Sequence, residues 1–334
     1  MTSKKTKGFT IVELLTVMSI IIILMSVLMP GLQRTRRYAK VVVQKGQFNE
    51  IAKGLELYRN DHQESYPDSG TVDTATTPNL YCGAMKLCEA LVGQDGMGNH
   101  PLSNFQASQP TTYLFDLCYI RDPGVKAYDA CEMASLRDRT KYTDAENIKA
   151  YRLQDIYNWA ISGSSGGKSF YNATAQFKVD NGSSSATSTY PNAVIGDVFQ
   201  HATINGTPCP ARSGQKVGMP VLYYKADSSK IAHDTTTIPA SSTPNTNIYN
   251  FDDNYAITSL GLPWESSHTN DHPMYKPDST SSPAGPGPLL FLKAITNDKV
   301  TATPRPHNED GYILLSAGWD GQYGTLDDVY NFAK

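Results

Sequence analysis

Residues Phe9 to Met29 read FTIVELLTVMSIIIILMSVLM, a run in which Glu13 is the only charged residue. As an α-helix rising ~1.5 Å per residue it spans ~31 Å, close to the thickness of a bilayer's hydrocarbon core. Leu14 to Met29 hold ten Leu, Ile and Val residues. At about −0.3 to −0.6 kcal/mol each near the membrane centre, they supply roughly −3 to −6 kcal/mol towards insertion. Glu13 falls in the first helical turn, where an interface lowers its cost and the helix dipole favours its charge. The expectation is a membrane-spanning helix over residues 9–31. A cleaved secretory signal fits less well, because its apolar region usually has about 7–15 residues and ends at a small-residue site. Here Pro30-Gly31 and then Arg34, Arg36, Arg37 and Lys40 follow. Orientation stays open, since Lys4, Lys5, Lys7 and the terminal amine roughly balance those four basic residues.

Helical periodicity continues past Pro30. Val41, Phe48, Ile51, Leu55 and Tyr58 form one apolar stripe among basic and polar residues, an amphipathic continuation over 32–60 whose stripe packs on a globular head. Pro30 removes a backbone donor and crowds the preceding turn, so a kink or melted turn is expected near 26–31. The helix ends at Asn60-Asp61, and the head occupies 61–334.

The rest of the chain is far less apolar. With 29 Lys+Arg against 32 Asp+Glu the net charge is −3, which lacks the basic excess of a nucleic-acid-binding surface. Charged residues make up only 18%, and Ser, Thr, Asn, Tyr and Gly are expected to fill the surface in their place. Ser162–Ser169, Asn181–Ser188 and Asp278–Gly287 read as loops within one decorated domain. Asp144–Ile161 reads as a helix with Ile148, Tyr151, Ile156 and Trp159 on one face. Pro220 to Tyr224 reads as a core strand.

Near the C-terminus, Asp310 to Phe332 read DGYILLSAGWDGQYGTLDDVYNF. Tyr312–Leu315 is expected to be a strand. The loop after it carries Asp320, Asp327 and Asp328 among three glycines, with no Lys or Arg between Leu314 and Phe332. Carboxylates so concentrated repel one another unless a cation joins them. A hard divalent ion suits them, because calcium takes 6–8 oxygens from carboxylates and carbonyls at flexible angles. The spacing is not that of an EF-hand.

The start of the chain resembles the leader and first helix of type IV pilins and type II secretion pseudopilins. A short basic leader (residues 1–8) ends in Gly8, Phe9 follows, Glu13 is the fifth residue counted from Phe9, and Pro30 is the twenty-second. The resemblance implies that a prepilin peptidase cuts between Gly8 and Phe9 and methylates the new amine. It also implies that Glu13 meets the amine of a neighbouring subunit, setting the register of a filament. GLELYRNDHQESYP (Gly54 to Pro67), the helix-like Cys88 to Val92 and the phrase SAGWDGQYGTLDD (Ser316 to Asp328) resemble the major secretion pseudopilin in particular. By that resemblance the loop 315–329 binds calcium, with Asp320, Asp327 and Asp328 as side-chain ligands and Leu315, Ser316 and Val329 as carbonyl ligands.

The fold implied is α+β and pilin-like: a long N-terminal transmembrane and amphipathic α-helix packed on a small antiparallel β-sheet head, with a large loop-rich insertion over about 95–300. The implied function is a structural subunit, not an enzyme, of a type II secretion pseudopilus. It would be held single-pass in the inner membrane with a periplasmic head. Its implied partners are itself, minor pseudopilins, the prepilin peptidase and an inner-membrane platform protein, and no nucleic acid. A type IV pilus subunit used for adhesion, motility or DNA uptake is the alternative, and a membrane-anchored periplasmic binding or hydrolase domain stands behind it.

Two motifs are weaker. Ser162-Gly-Ser-Ser-Gly-Gly-Lys-Ser169 lacks the first glycine and the spacing of a phosphate-binding loop. His268 and His272, with Asp271 nearby, sit between Pro263 and Pro273 and read as a surface loop. Cys82, Cys88, Cys118, Cys131 and Cys209 all follow the membrane span. Disulfides are permitted outside the cytoplasm, and the sequence does not fix their pairing.

Overall fold

A computed structural model describes residues 10–70, 82–93, 98–99, 103, 105, 139–144, 146–153, 156–157, 176–178, 187–189, 193–204, 213–236, 245–258, 260–264, 272–274, 287–300 and 303–333. It divides into two compact units, Met1–Val43 and Gln44–Lys334. Helix α1 runs from Ile11 to Asp61 and contains Pro30. The helix is unbroken at residues 26–31, so the melted turn expected there is absent. A proline interrupts the bonding at one position only, and the turns on both sides keep theirs.

In the first unit the described side chains from Ile11 to Ala39 are all exposed. This helix is long and apolar enough to cross a membrane. The second unit treats the same helix differently. Phe48, Ile51, Leu55 and Tyr58 are buried at the expected helical spacing, while Val41 belongs to the first unit and is half-exposed. Tyr58 lies edge-on to Tyr142 with ring centroids 5.5 Å apart. Gly54 leaves room for α2 (Gly83–Val92), since a Cβ there would sit 2.8 Å from Leu91 Cδ2.

The head is built from short strands. A three-stranded antiparallel sheet has the order β7 (Leu222–Lys225), β8 (Tyr312–Ser316), β9 (Val329–Tyr330). The central strand β8 and its neighbour β7 are the ones expected from their apolar runs. Further antiparallel pairs are β1 (Ala150–Arg152) with β4 (Ala193–Ile195), β2 (Gln176–Lys178) with β3 (Thr187–Thr189), and β5 (Ala202–Thr203) with β6 (Lys216–Val217). The Val221 N–H donates to the Ile195 carbonyl (2.7 Å) and the Asp197 N–H to the Met219 carbonyl (2.8 Å), linking the β4 end to the approach to β7. The span 95–300 therefore carries core strands. A 3-10 helix (Phe251–Asn254) running into α3 (Tyr255–Thr258), and α4 (Gly287–Ala294), complete the described elements.

The helix expected over Asp144–Ile161 is not there. Residues 146–149 turn, and Ala150–Arg152 pair with Ile195–Ala193 as a strand. Tyr151 is fully buried and its hydroxyl donates to the Gly218 carbonyl at 2.7 Å. A long-range partner overrides local periodicity, as strand pairing commonly does. Trp159 and Ile161 lie outside the described residues.

The tyrosines are a second correction. The chain has 20, and among the described residues tyrosines supply most of the largest fully buried side chains: Tyr151, Tyr157, Tyr223, Tyr224, Tyr249 and Tyr323. Four more of these hydroxyls reach loop carbonyls: Tyr157 to Gly261 (3.2 Å), Tyr223 to Pro67 (2.7 Å), Tyr249 to Asn308 and Tyr323 to Pro220. Irregular backbone buried in a core needs partners for its carbonyls, and a ring that ends in a donor fills space and satisfies them together.

Candidate functional site

Two places carry the residues singled out from the sequence. The first is the start of α1. The Thr10 N–H and the Thr10 hydroxyl both donate to Glu13 Oε2, at 2.9 and 2.8 Å, and the Glu13 N–H donates back to Thr10 Oγ1 at 3.3 Å. This is a reciprocal capping box, in which a Thr at the helix start and a Glu three residues on satisfy otherwise orphaned donors. Glu13 is exposed, with its carboxylate held by its own helix end. The T-x-x-E spacing was visible in the sequence, and reading Glu13 only through the helix dipole missed it. Gly8 and Phe9, the expected cleavage positions, lie outside the described residues.

The second place is the loop between β8 and β9. Leu315 and Ser316 pair with Tyr330 and Val329 at its base, so the three expected carbonyl ligands sit together where the loop opens. Asp320 and Asp327 are brought together: the Asp320 N–H donates to Asp327 Oδ2 at 2.9 Å. Asp327 Oδ1 accepts from the Thr325 hydroxyl (2.6 Å), and Asp320 Oδ1 from the Gln322 N–H (2.8 Å). Asp328 points elsewhere, accepting from the Gly324 N–H (2.9 Å) and the Tyr330 hydroxyl (3.4 Å). Among the described residues no three His, Cys, Asp or Glu side chains gather into a ready metal cluster.

The loop's glycines serve close approach. Gly318 has φ +67°, and a Cβ there would lie 2.2 Å from the Asp327 carbonyl oxygen and 2.8 Å from its Oδ2. Gly321, at φ +73°, packs against Trp264 and His201 in the same way.

Electrostatically the two adjacent carboxyls split. Burial raises Asp320 above the usual carboxylate value, and the neighbouring Asp327 charge adds to it. Burial would also raise Asp327, but bonds from Thr325 and from the Asp320 N–H outweigh it and hold that group low. Like charges held side by side favour opposite protonation states. The donor chemistry fits a hard divalent ion, which would relieve this repulsion.

The structure corrects the reading of His272 as part of a surface loop. It is buried, and its Nδ1 accepts from the Tyr323 N–H at 3.3 Å. Burial lowers its pKa to about 3, so it stays neutral. His272 therefore anchors the acidic loop from beneath. His268 and the segment Ser162–Ser169 lie outside the described residues. Cys82 and Cys88 are buried free thiols; Cys118, Cys131 and Cys209 lie outside the described residues.

A residue the sequence did not flag also belongs here. Asp197 is fully buried, and its Oδ2 accepts from the Ser316 hydroxyl at 2.9 Å, at the mouth of the acidic loop. No local pattern marks it.

Comparison with known proteins bears on the first place. Residues 3–29 match the family model of the prokaryotic N-terminal methylation motif. The chain is 41% identical over 59 residues to the type IV wide pilus major component PilA4 of Thermus thermophilus, a stretch covering 18% of this chain and 45% of that relative. The chain thus spans less than half the length of that relative. No solved structure matches the chain. The methylation motif, the partial likeness to a pilin component and the long apolar helix are each similar to what the type IV pilin superfamily carries, and together they support that relationship.

Proposed function

We propose that this protein is a structural subunit that polymerises through α1 into a type II secretion pseudopilus and helps drive proteins across the outer membrane. The observation that carries the reading is the methylation motif running into a helix whose described apolar side chains from Ile11 to Met29 are exposed. Apolar surface on this scale needs lipid or other copies of itself to cover it. The subunit would wait in the inner membrane with its head in the periplasm. A prepilin peptidase would cut after Gly8 and methylate Phe9. Glu13 would then exchange its own Thr10 cap for the amine of a neighbouring subunit, and a platform protein and minor pseudopilins would guide growth.

Calcium would be held by Asp320 and Asp327 with the carbonyls of Leu315, Ser316 and Val329, and Asp328, which here accepts from the Gly324 N–H, would turn in to join them. When bound it supplies positive charge that fixes the loop's shape. Calcium is expected to raise the head's melting temperature by several degrees, with EGTA reversing the rise; no shift at millimolar calcium would exclude this site.

A second reading is a type IV pilus subunit, favoured by the 41% identity to a wide-pilus component. Mass spectrometry of the mature N-terminus tests what both share: monomethylated phenylalanine is expected, and an intact Met1 would overturn both. A deletion strain separates them. Lost secretion with surface fibres intact supports the pseudopilus, and lost fibres with secretion intact supports the pilus.

A further inference from the structure

The acidic loop and the buried face of α1 are joined within the second unit by one packing contact followed by a run of hydrogen bonds. Asp327 lies against Gly318. The Gly318 N–H donates to Ser316 Oγ at 3.3 Å, and that hydroxyl donates to Asp197 Oδ2 at 2.9 Å. Asp197 Oδ1 accepts from the Phe199 N–H at 3.0 Å, which fixes the turn 196–199 around it. Both ends of that turn are gripped by α1. The Val198 N–H donates to Gln44 Oε1 at 2.9 Å, and Gln47 Nε2 donates to the carbonyls of Gly196 (2.8 Å) and Ile148 (3.0 Å). Gln44 Nε2 donates to Gln47 Oε1 at 3.0 Å, locking the pair.

Gln44, Asp197 and Ser316 are fully buried and Gln47 is 5% exposed. A glutamine pair and a carboxylate are costly choices for buried positions that leucine could fill. Once satisfied, such a network is directional, and none of its members moves without disturbing the next. Apolar packing would hold the helix on the head equally well, but it would not tie the helix to the setting of one particular loop.

We propose that cation binding at the acidic loop and the ordering of α1 from Gln44 to Tyr58 are one coupled equilibrium, with Asp197 as its joint and Gln44 and Gln47 as its output. The proposal rests on the calcium reading above and deepens it. The ion would act on the helix as well as on the loop that holds it. By linkage, a helix held firmly, as by neighbouring subunits, would in turn tighten the loop's grip on the ion.

Hydrogen exchange of the full chain in detergent micelles, with and without millimolar calcium, tests this, with calcium binding measured separately by calorimetry. In the wild type, calcium is expected to slow exchange over residues 44–58 roughly fivefold or more, the lower end of ordinary coupling between sites. Gln44→Leu and Gln47→Leu are expected to bind calcium and yet lose that response. Calcium bound by the wild type with exchange over 44–58 unchanged would overturn the coupling and leave the calcium reading standing. The same would follow if both variants responded as the wild type does. No calorimetric binding to the wild type would overturn both.

Discussion

The two ends of one helix behave as different materials. From Ile11 to Ala39 the described side chains of α1 are exposed, whereas between Gln44 and Tyr58 a stripe of Phe48, Ile51, Leu55 and Tyr58 is buried along with two glutamines. Backbone geometry is the same in both stretches. Between Leu14 and Met29 the first stretch is predominantly apolar on every side and suited to a solvent that is itself apolar. The second half is apolar on one side and draws its stability from its own head. A single helix can therefore serve two environments by changing only the angular spread of its apolar residues.

The largest expected effect concerns titration in the head, which the first stretch should not share. Asp253 is buried among Ser69, Asp68, Lys86 and Asp252, and burial raises its pKa to about 7. A carboxyl raised in the folded state contributes stability that is fully present below its unfolded value near 4 and lost as pH rises through 7. That loss is roughly 4 kcal/mol. Denaturant unfolding compared at pH 4 and pH 8 should show it, and Asp253→Asn should flatten much of the slope. Asp197 works in the same direction. His272, held neutral, works in the opposite direction as pH falls below 6.5.

Next in size, Leu55→Ala should cost the head about 3 kcal/mol through the cavity it leaves, while Leu24→Ala should leave the head's unfolding midpoint unchanged. Equal losses would erase the distinction between the two stretches. Gly54→Ala is expected to cost about 1 kcal/mol, because Leu91 Cδ2, 2.8 Å from the new Cβ, must turn aside in a buried contact while alanine's helix propensity offsets part of the strain. The smallest effect lies at the membrane end. Thr10→Val should cost about 1 kcal/mol of helix stability, visible as faster amide exchange over the first turn of α1 in micelles, with the head unaffected.

What was legible follows the range of the forces involved. Helix α1, β7 and β8 announce themselves because their apolar spacing is local and strong, whereas α2 was legible only through a family resemblance at Cys88 to Val92. The strand at Ala150–Arg152 did not, because its partner Ala193–Ile195 lies far along the chain and Tyr151 fits a helical stripe equally well on paper. The candidate sites divide in the same way. Glu13 and the acidic loop stand out by charge placed in unusual company. Asp197 is an ordinary acid in an ordinary stretch, and its role comes from a hydroxyl 119 residues away. Tyrosine was misplaced for a related reason: composition counts its hydroxyl as polar, whereas the fold uses the ring to fill the core and the hydroxyl to hold a loop.

That use of tyrosine has an evolutionary corollary. Where phenols fasten the loops from within, the outward residues of those loops carry little of the fold's upkeep. Substitution there should be free to track whatever the exterior meets, while Tyr151, Tyr157, Tyr223, Tyr249 and Tyr323 resist even a change to phenylalanine.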